Sequence, residues 1–383
     1  MLERSLLARP APAVRFVDLQ AQRARLGSRI DGAIAGVLAH GNYVLGPEVA
    51  ELEARLADWS GARHVVTCAN GTDALKLALR ARRIGHGDAV VVPAFTFVAA
   101  AEAVVIAGAT PIFADVRESD FTLDPAAIEP AIEVARRAGL RPAAIIAVDL
   151  FGQPADYPAI LPIAERHGLF LVADGAQSFG ATLDGRPVGS WGDVTATSFF
   201  PSKPLGCYGD GGALLTDDTA QAELYRSLRM HGQGGDRYDH QRIGVNSRLD
   251  SLQAAILLAK LEIFEDEIAA RDQVAQRYAA LLGDRVRVPH VRAGVRSVWA
   301  QYTIRVTDRD RVARELRDHG VPTAIHYPRP LSAQPAYADY PSAPGGLPVS
   351  VRLAREVLSL PMHAYLDRSQ QDEIAARLIE ALG

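Results

Sequence analysis

Three segments of this chain place chemically useful residue types just after apolar runs. In Cys68-Ala-Asn-Gly-Thr-Asp-Ala-Leu, a strand-like run passes into Asn70-Gly71-Thr72, and a helical pattern opens at Asp73. Gly71 allows close backbone approach, and a helix N-terminus presents unpaired N–H groups at its positive end, an arrangement suited to a phosphate. An ordinary N-cap explains Asn, Thr and Asp equally well, and the sequon Asn70-Gly-Thr fits poorly in a buried strand-to-helix turn. The second segment is Leu171-Val-Ala-Asp174-Gly-Ala-Gln177. An ionised Asp174 at the end of an apolar strand is costly to desolvate unless a cation meets it. A protonated pyridine nitrogen would serve, and capping of the following turn is the commoner alternative. In the third, Thr197-Ser198-Phe-Phe-Pro-Ser-Lys203-Pro-Leu-Gly, a lysine lies between two prolines in a turn that ends in Gly206, Gly209, Gly211 and Gly212. A solitary lysine is usually exposed. Held in so constrained a turn and partly desolvated, its amine has a depressed pKa and can attack a carbonyl. Ser198 could add a hydroxyl to the phosphate site of Gly71 and Thr72.

The order of these segments sharpens them. A phosphate cup, then a strand-end Asp, then a lysine about 30 residues later is the general arrangement of a pyridoxal-phosphate (PLP) site. The chain totals leave room for this and exclude other classes. With 383 residues, 48% hydrophobic content and a net charge of −4, the chain can bury a large core and carries no electrostatic footprint for nucleic acid. The short basic pairs Arg82–Arg83 and Arg136–Arg137 read as solvated helix faces. Two cysteines, Cys68 and Cys207, make no disulfide scaffold, and the ten histidines show no paired metal-ligand spacing, so no metal is expected. No apolar run reaches the roughly 20 residues that span a bilayer, and Met1–Val14 has no signal-peptide core. A cytoplasmic setting with no membrane contact follows as the expectation.

The elements that must position these residues alternate. Candidate strands are His64–Cys68, Ala89–Pro93, Thr110–Phe113, Ala143–Val148, Leu169–Ala173, Val194–Phe199 and Gly212–Thr216, mostly continuous apolar runs of the kind buried on both faces of a parallel sheet. Helical patterns over Thr72–Arg83, Phe97–Ala107 and Asp156–His167 lie between them, which predicts an open α/β sheet with helices on both sides. Open sheets of this kind place ligands at their strand ends. From Ser251 to Arg277 there is no Pro or Gly, which predicts one long helix or two in tandem. A smaller α+β unit follows, with strands at Ala300–Val306 and Thr323–Ile325 and helices at Arg311–His319 and Ser350–Val357. Tyr327–Pro348 reads as a loop. The expected division is a flexible extension over 1–15, a large α/β domain over 16–260 and a small domain over 261–383.

From about Phe16 onward the chain resembles the DegT/DnrJ/StrS family of sugar aminotransferases. The resemblance rests on Gly-Asn-Tyr-Val-Leu-Gly-Pro-Glu (41–48), the Asn-Gly-Thr cup, Pro-Ala-Phe-Thr-Phe (93–97), Asp-Gly-Ala-Gln (174–177), Ser-Phe-Phe-Pro-Ser-Lys (198–203), Gly-Val-Asn-Ser-Arg (244–248) and His-Tyr-Pro (326–328). It implies PLP fold type I, an aspartate-aminotransferase-like, mainly parallel seven-stranded sheet plus a smaller C-terminal α+β domain. It further implies that Lys203 forms the Schiff base and shuttles the proton, that Asp174 pairs with the pyridinium nitrogen, and that Gln177 contacts the phenolic oxygen. Phe97 would stack on the ring; Gly71, Thr72 and Ser198 would hold the phosphate; Asn246 would reach the phosphate of a neighbouring subunit in a homodimer. Arg248, His326 and Tyr327 would face the substrate, Arg248 because a guanidinium grips carboxylates bidentately. Within the family the motifs look most like enzymes that transfer nitrogen from L-glutamate to C3 of UDP-3-keto-N-acetylglucosaminuronic acid for surface polysaccharide. Other UDP- or dTDP-keto-sugars are the alternative substrates. Related dehydratases carry a histidine where Lys203 stands, so the lysine favours transamination over that chemistry; a silent regulatory homologue would not need the full set. Ala173 departs from the acidic residue that many relatives have before the cofactor Asp.

Overall fold

The computed structural model describes residues 14–236 and 238–383. Residues 1–13 of the expected extension lie outside the described residues. Val14 is buried against the C-terminal unit, and the Arg15 carbonyl lies 3.2 Å from His363 Nε2.

The seven apolar runs form one sheet: β1 (His64–Cys68), β2 (Asp88–Pro93), β3 (Thr110–Ala114), β4 (Arg141–Val148), β5 (Phe170–Asp174), β6 (Val194–Ser198) and β7 (Gly212–Thr216). Their order is β1-β7-β6-β5-β4-β2-β3. All run in one direction except β7, which is antiparallel to both β1 and β6. Alternate residues of a strand point to opposite faces, and both faces are covered. Val90 and Val92 pack with helices Gly71–Ala81 and Ala99–Ile106, whereas Ala89 and Val91 pack with helices Ile128–Arg137 and Tyr157–His167. Burial on both sides is why these strands read as continuous apolar runs rather than alternating ones. Each fully buried valine or isoleucine contributes about 1.5–3 kcal/mol, so a charge on either face would open the sheet that holds the site.

Ser251–Arg277 is two helices, Ser251–Leu261 and Phe264–Leu282, separated at Glu262 and Ile263. Beyond them, Tyr302–Arg305 pairs antiparallel with Val357–Leu360, and helices Phe264–Leu282, Arg309–Asp318 and Arg368–Leu382 pack against this ribbon. Two expectations change here. Thr323–Ile325 is not a strand: Pro322 has no N–H to donate, and Ala324 makes only an isolated bridge to Ser359. The helix expected to end at Val357 stops at Glu356, and the chain passes directly into a buried strand. No described helix is long and apolar enough to cross a membrane.

Candidate active site

The carboxyl ends of β1, β4, β5 and β6 open onto a cavity of about 650 Å³. Its wall includes Gly71, Thr72, Phe97, Asp174, Gln177, Ser198, Lys203, His326 and Tyr327. These residues lie up to 256 positions apart in sequence, and the strand ends bring them together.

The cup is built as the β1–helix turn requires. Asn70 is extended (φ −168°), and its side chain accepts from the Asp73 N–H at 2.8 Å, capping helix Gly71–Ala81. The N-cap reading of Asn70 is therefore correct, and it coexists with a cup, because the first-turn amides of Gly71 and Thr72 have no intrahelical acceptor. A Cβ on Gly71 would lie 2.7 Å from Ser198 Cβ, and one on Gly212 would lie 2.5 Å from the Asn70 carbonyl. Glycine is needed at both positions for β1, β6 and β7 to close around the turn. Behind the cup, Ser247 Oγ accepts from the Ala69 N–H at 3.1 Å.

Asp174 ends β5 fully inside the protein. Its Oδ1 accepts from the Ala176 N–H at 3.1 Å, and burial pushes its pKa up to about 6, with the Lys203 charge pulling the other way. A second buried carboxylate, unforeseen from sequence, lies beyond it. Asp149 follows β4, and its carboxylate accepts from Ala155 N–H (2.7 Å), Tyr157 O–H (2.6 Å) and Ser178 O–H (2.7 Å). Desolvation raises its pKa to about 7 despite these bonds, and the Asp174 charge adds to the rise. The signal was available, since an Asp closes the β4 run as another closes β5. Gln177 is held at both ends: Oε1 accepts from Phe151 N–H at 2.8 Å, and Nε2 donates to Tyr327 Oη at 3.1 Å.

Lys203 follows β6, and its N–H donates to the Phe200 carbonyl at 2.8 Å. Desolvation lowers the pKa of its amine, with the Asp174 charge opposing. No side-chain hydrogen bond or ion pair engages that amine among the described residues. His326 Nδ1 lies 2.9 Å from Ser359 Oγ, which in turn lies 2.8 Å from Thr303 Oγ1. Burial and then the Lys203 charge lower the His326 pKa to about 4, so the imidazole is neutral at neutral pH. Tyr327 packs against Phe95 and Phe97, each with ring centroids 6.2 Å from its own. Phe97 stays 53% exposed, so one ring face is free. Phe200, Asp210 and Gln301 also line the cavity without having been singled out, and Gln301 Oε1 is buried without a partner. Loop positions of this kind carry no periodic signal.

Asn246 and Arg248 are not on the wall. They flank the buried Ser247, with Asn246 exposed and Arg248 half-buried. In this extended segment, alternation sends both side chains away from the face that Ser247 gives to its own cup.

The residues present suit PLP: a backbone cup that a Cβ would fill, a buried carboxylate for a cationic ring nitrogen, a free aromatic face and an unpartnered amine. An open, mainly parallel sheet with this site at its strand ends defines a PLP enzyme of fold type I. Residues 25–379 match the DegT/DnrJ/EryC1/StrS aminotransferase family, and the chain belongs to it. It is 50% identical over 366 residues to the UDP-2-acetamido-2-deoxy-3-oxo-D-glucuronate aminotransferase of Pseudomonas aeruginosa, covering 95% of this chain and 99% of that protein. Among solved structures, a DegT/DnrJ/EryC1/StrS aminotransferase from Brucella abortus superposes with a TM-score of 0.95 at 51% identity, covering 97% of this chain and 100% of that one. DesV of S. venezuelae, solved in complex with a ketimine intermediate, gives 0.92 at 40% identity over 96% and 98%. The chain is accordingly a PLP-dependent sugar aminotransferase.

Proposed function

We propose that this enzyme moves the amino group of L-glutamate to UDP-3-keto-N-acetylglucosaminuronic acid, giving the 3-amino sugar for surface polysaccharide, as a cytoplasmic homodimer with shared sites. The observation that carries the residue assignment is the Lys203 amine, desolvated and unpartnered, sharing one cavity with the buried Asp174. The substrate reading is supported by half-identity to a relative that bears that activity in its name.

Bound PLP would supply an electron sink that lets a C–H bond next to nitrogen ionise. Gly71, Thr72 and Ser198 would hold its phosphate through first-turn amides and hydroxyls, and Asn246 of a second copy would complete that grip. Asp174 would keep the ring nitrogen protonated, and Gln177 would donate to the phenolic oxygen. Phe97 would cover a ring face and exclude water. Lys203 Nζ would take the α-proton of the donor and later deliver a proton to the sugar carbon that receives nitrogen. The nitrogen leaves glutamate, which becomes 2-oxoglutarate, and the sugar carbonyl becomes an amine. Arg248 would grip a substrate carboxylate, which glutamate and a uronic acid both carry. His326, neutral and anchored by Ser359, would turn its other ring nitrogen to the sugar, with Tyr327 beside it on the cavity wall.

Borohydride reduction followed by peptide mapping should place PLP on Lys203, and L-glutamate should bleach the visible absorbance. Lys203→Ala is expected to lose activity by about a hundredfold to ten-thousandfold, the usual contribution of a positioned proton carrier. Labelling at another lysine would refute the assignment. Turnover of a panel of UDP- and dTDP-keto-sugars, run in reverse from the amino sugars, tests the substrate; preference for a dTDP-4-keto-sugar would replace it.

A further inference from the structure

Behind the turn that carries Lys203, away from the cavity, lies a buried group of charged side chains. Lys260, 1% exposed on helix Ser251–Leu261, donates from Nζ to the Gly206 carbonyl at 2.5 Å, beneath the ring of Tyr208 at 4.2 Å. Arg271, 8% exposed on the next helix, donates from Nη2 to the Pro204 carbonyl at 3.4 Å. The Tyr208 N–H is taken by Gln253 Oε1 at 2.8 Å. Three backbone groups of the turn Lys203–Tyr208, at alternate residues, are thus bonded to side chains from two helices. Glu267 is the buried counter-charge, 3.9 Å from Arg271.

Stability does not explain why these two cations are buried. Taking an ammonium or a guanidinium out of water is costly, and replacing a whole buried group of paired charges with apolar side chains of similar volume is often neutral or stabilising, although removing one partner strands the other. Burial lowers the Lys260 pKa to about 8, with Glu267 opposing, and leaves Arg271 Nη1 without a partner. The one acceptor of Lys260 among the described residues is the Gly206 carbonyl. Charged donors make stronger bonds to a carbonyl than neutral ones, and these bonds end one and three residues past Lys203.

We propose that Lys260 and Arg271 are positioning residues for the reaction: they touch neither cofactor nor substrate and hold the Pro204–Gly206 backbone so that the Lys203 amine meets its target in register. This rests on Lys203 being the cofactor lysine. A displacement of about 1 Å at a reacting group can cost about a hundredfold in rate, so a loosened turn should be read directly.

The test compares wild type with Lys260→Met, Arg271→Met and Lys260→Gln, the last keeping a neutral donor. In the holoenzymes, both methionine variants should fold but melt below wild type, because each strands charge on the buried Glu267, while kcat falls about tenfold to a hundredfold and KM for L-glutamate stays within about threefold. The rate at which stripped protein links added PLP to Lys203, followed by absorbance, should fall in parallel, and Lys260→Gln should recover part of both rates. A merely structural pair would lower the melting temperature and leave these rates alone. Wild-type rates in both methionine variants, or failure of both to fold, would overturn the proposal. Borohydride labelling of wild type keeps that outcome distinct from an error about Lys203.

Discussion

At the scale of single residues, the site is governed by two carboxylates that the fold makes reluctant to ionise. An unfolded aspartate titrates near about 4; burial raises Asp174 to about 6 and Asp149 to about 7. Both bind a proton more tightly folded than unfolded. The stability this contributes is fully present below about pH 4 and is lost as the pH rises through the folded values. The cofactor-free protein should therefore melt at progressively lower temperature between about pH 5 and pH 8. Asp149→Asn should flatten the upper part of that slope. Its amide oxygen can still accept from Ala155 and Tyr157, while Ser178 can turn its hydroxyl to accept from the new amide. Thermal melts at stepped pH decide it, and equal slopes in the two proteins would show that Asp149 does not titrate in that range. If Asp174 meets the protonated ring nitrogen, as proposed, bound cofactor would favour its ionised form and shallow the slope further.

Elements determine how these residues are aimed, and they differ in how plainly the sequence shows them. The strands were legible because burial on both faces leaves unbroken apolar runs, and all seven lie within two residues of expectation. Asp174 stood out as a charge closing an apolar run, and Lys203 as a lysine between two prolines in a glycine-rich turn, following the cup and Asp174 in order. What stayed hidden depends on tertiary context. Ser251–Arg277 has no breaker residue, so the interruption at Ile263 is set by packing: Ile263 and Phe264 enter different clusters. Lys260 and Arg271 look like solvated helix charges, because only the facing turn makes them buried. The strand Val357–Leu360 was masked by the helix running into it, yet it carries Ser359, the anchor of His326. Ser359→Ala removes one hydrogen bond from a neutral imidazole and should lower kcat/KM for the sugar by about twofold to tenfold, the range of a single net bond. Steady-state kinetics with L-glutamate saturating would check this, and an unchanged value would detach His326 from the sugar.

For the whole molecule, the question is where Asn246 and Arg248 act. The cup of their own chain is served by Ser247 between them, and both side chains lie off the cavity wall. If each completes the site of a second copy, the active unit is a two-fold dimer, whose interface uses the same patch on both copies. Two damaged subunits should then repair one another. An Asn246→Ala/Arg248→Ala chain keeps Lys203 and lacks the donated side chains, whereas a Lys203→Ala chain still donates them. Co-expressed in equal amounts with different tags, about half of the dimers are mixed, and each mixed dimer has one site with every residue intact. Activity should return to about a quarter of wild type from two nearly inactive parents, and tandem purification of mixed dimers should raise it to about half. Without sharing, every site lacks either the lysine or the pair, and mixing restores nothing. A flat result in stable mixed dimers would assign Asn246 and Arg248 to the site of their own chain, whereas a fully active Asn246→Ala/Arg248→Ala parent would move them out of the active site and leave the residues around the cavity as a one-chain centre.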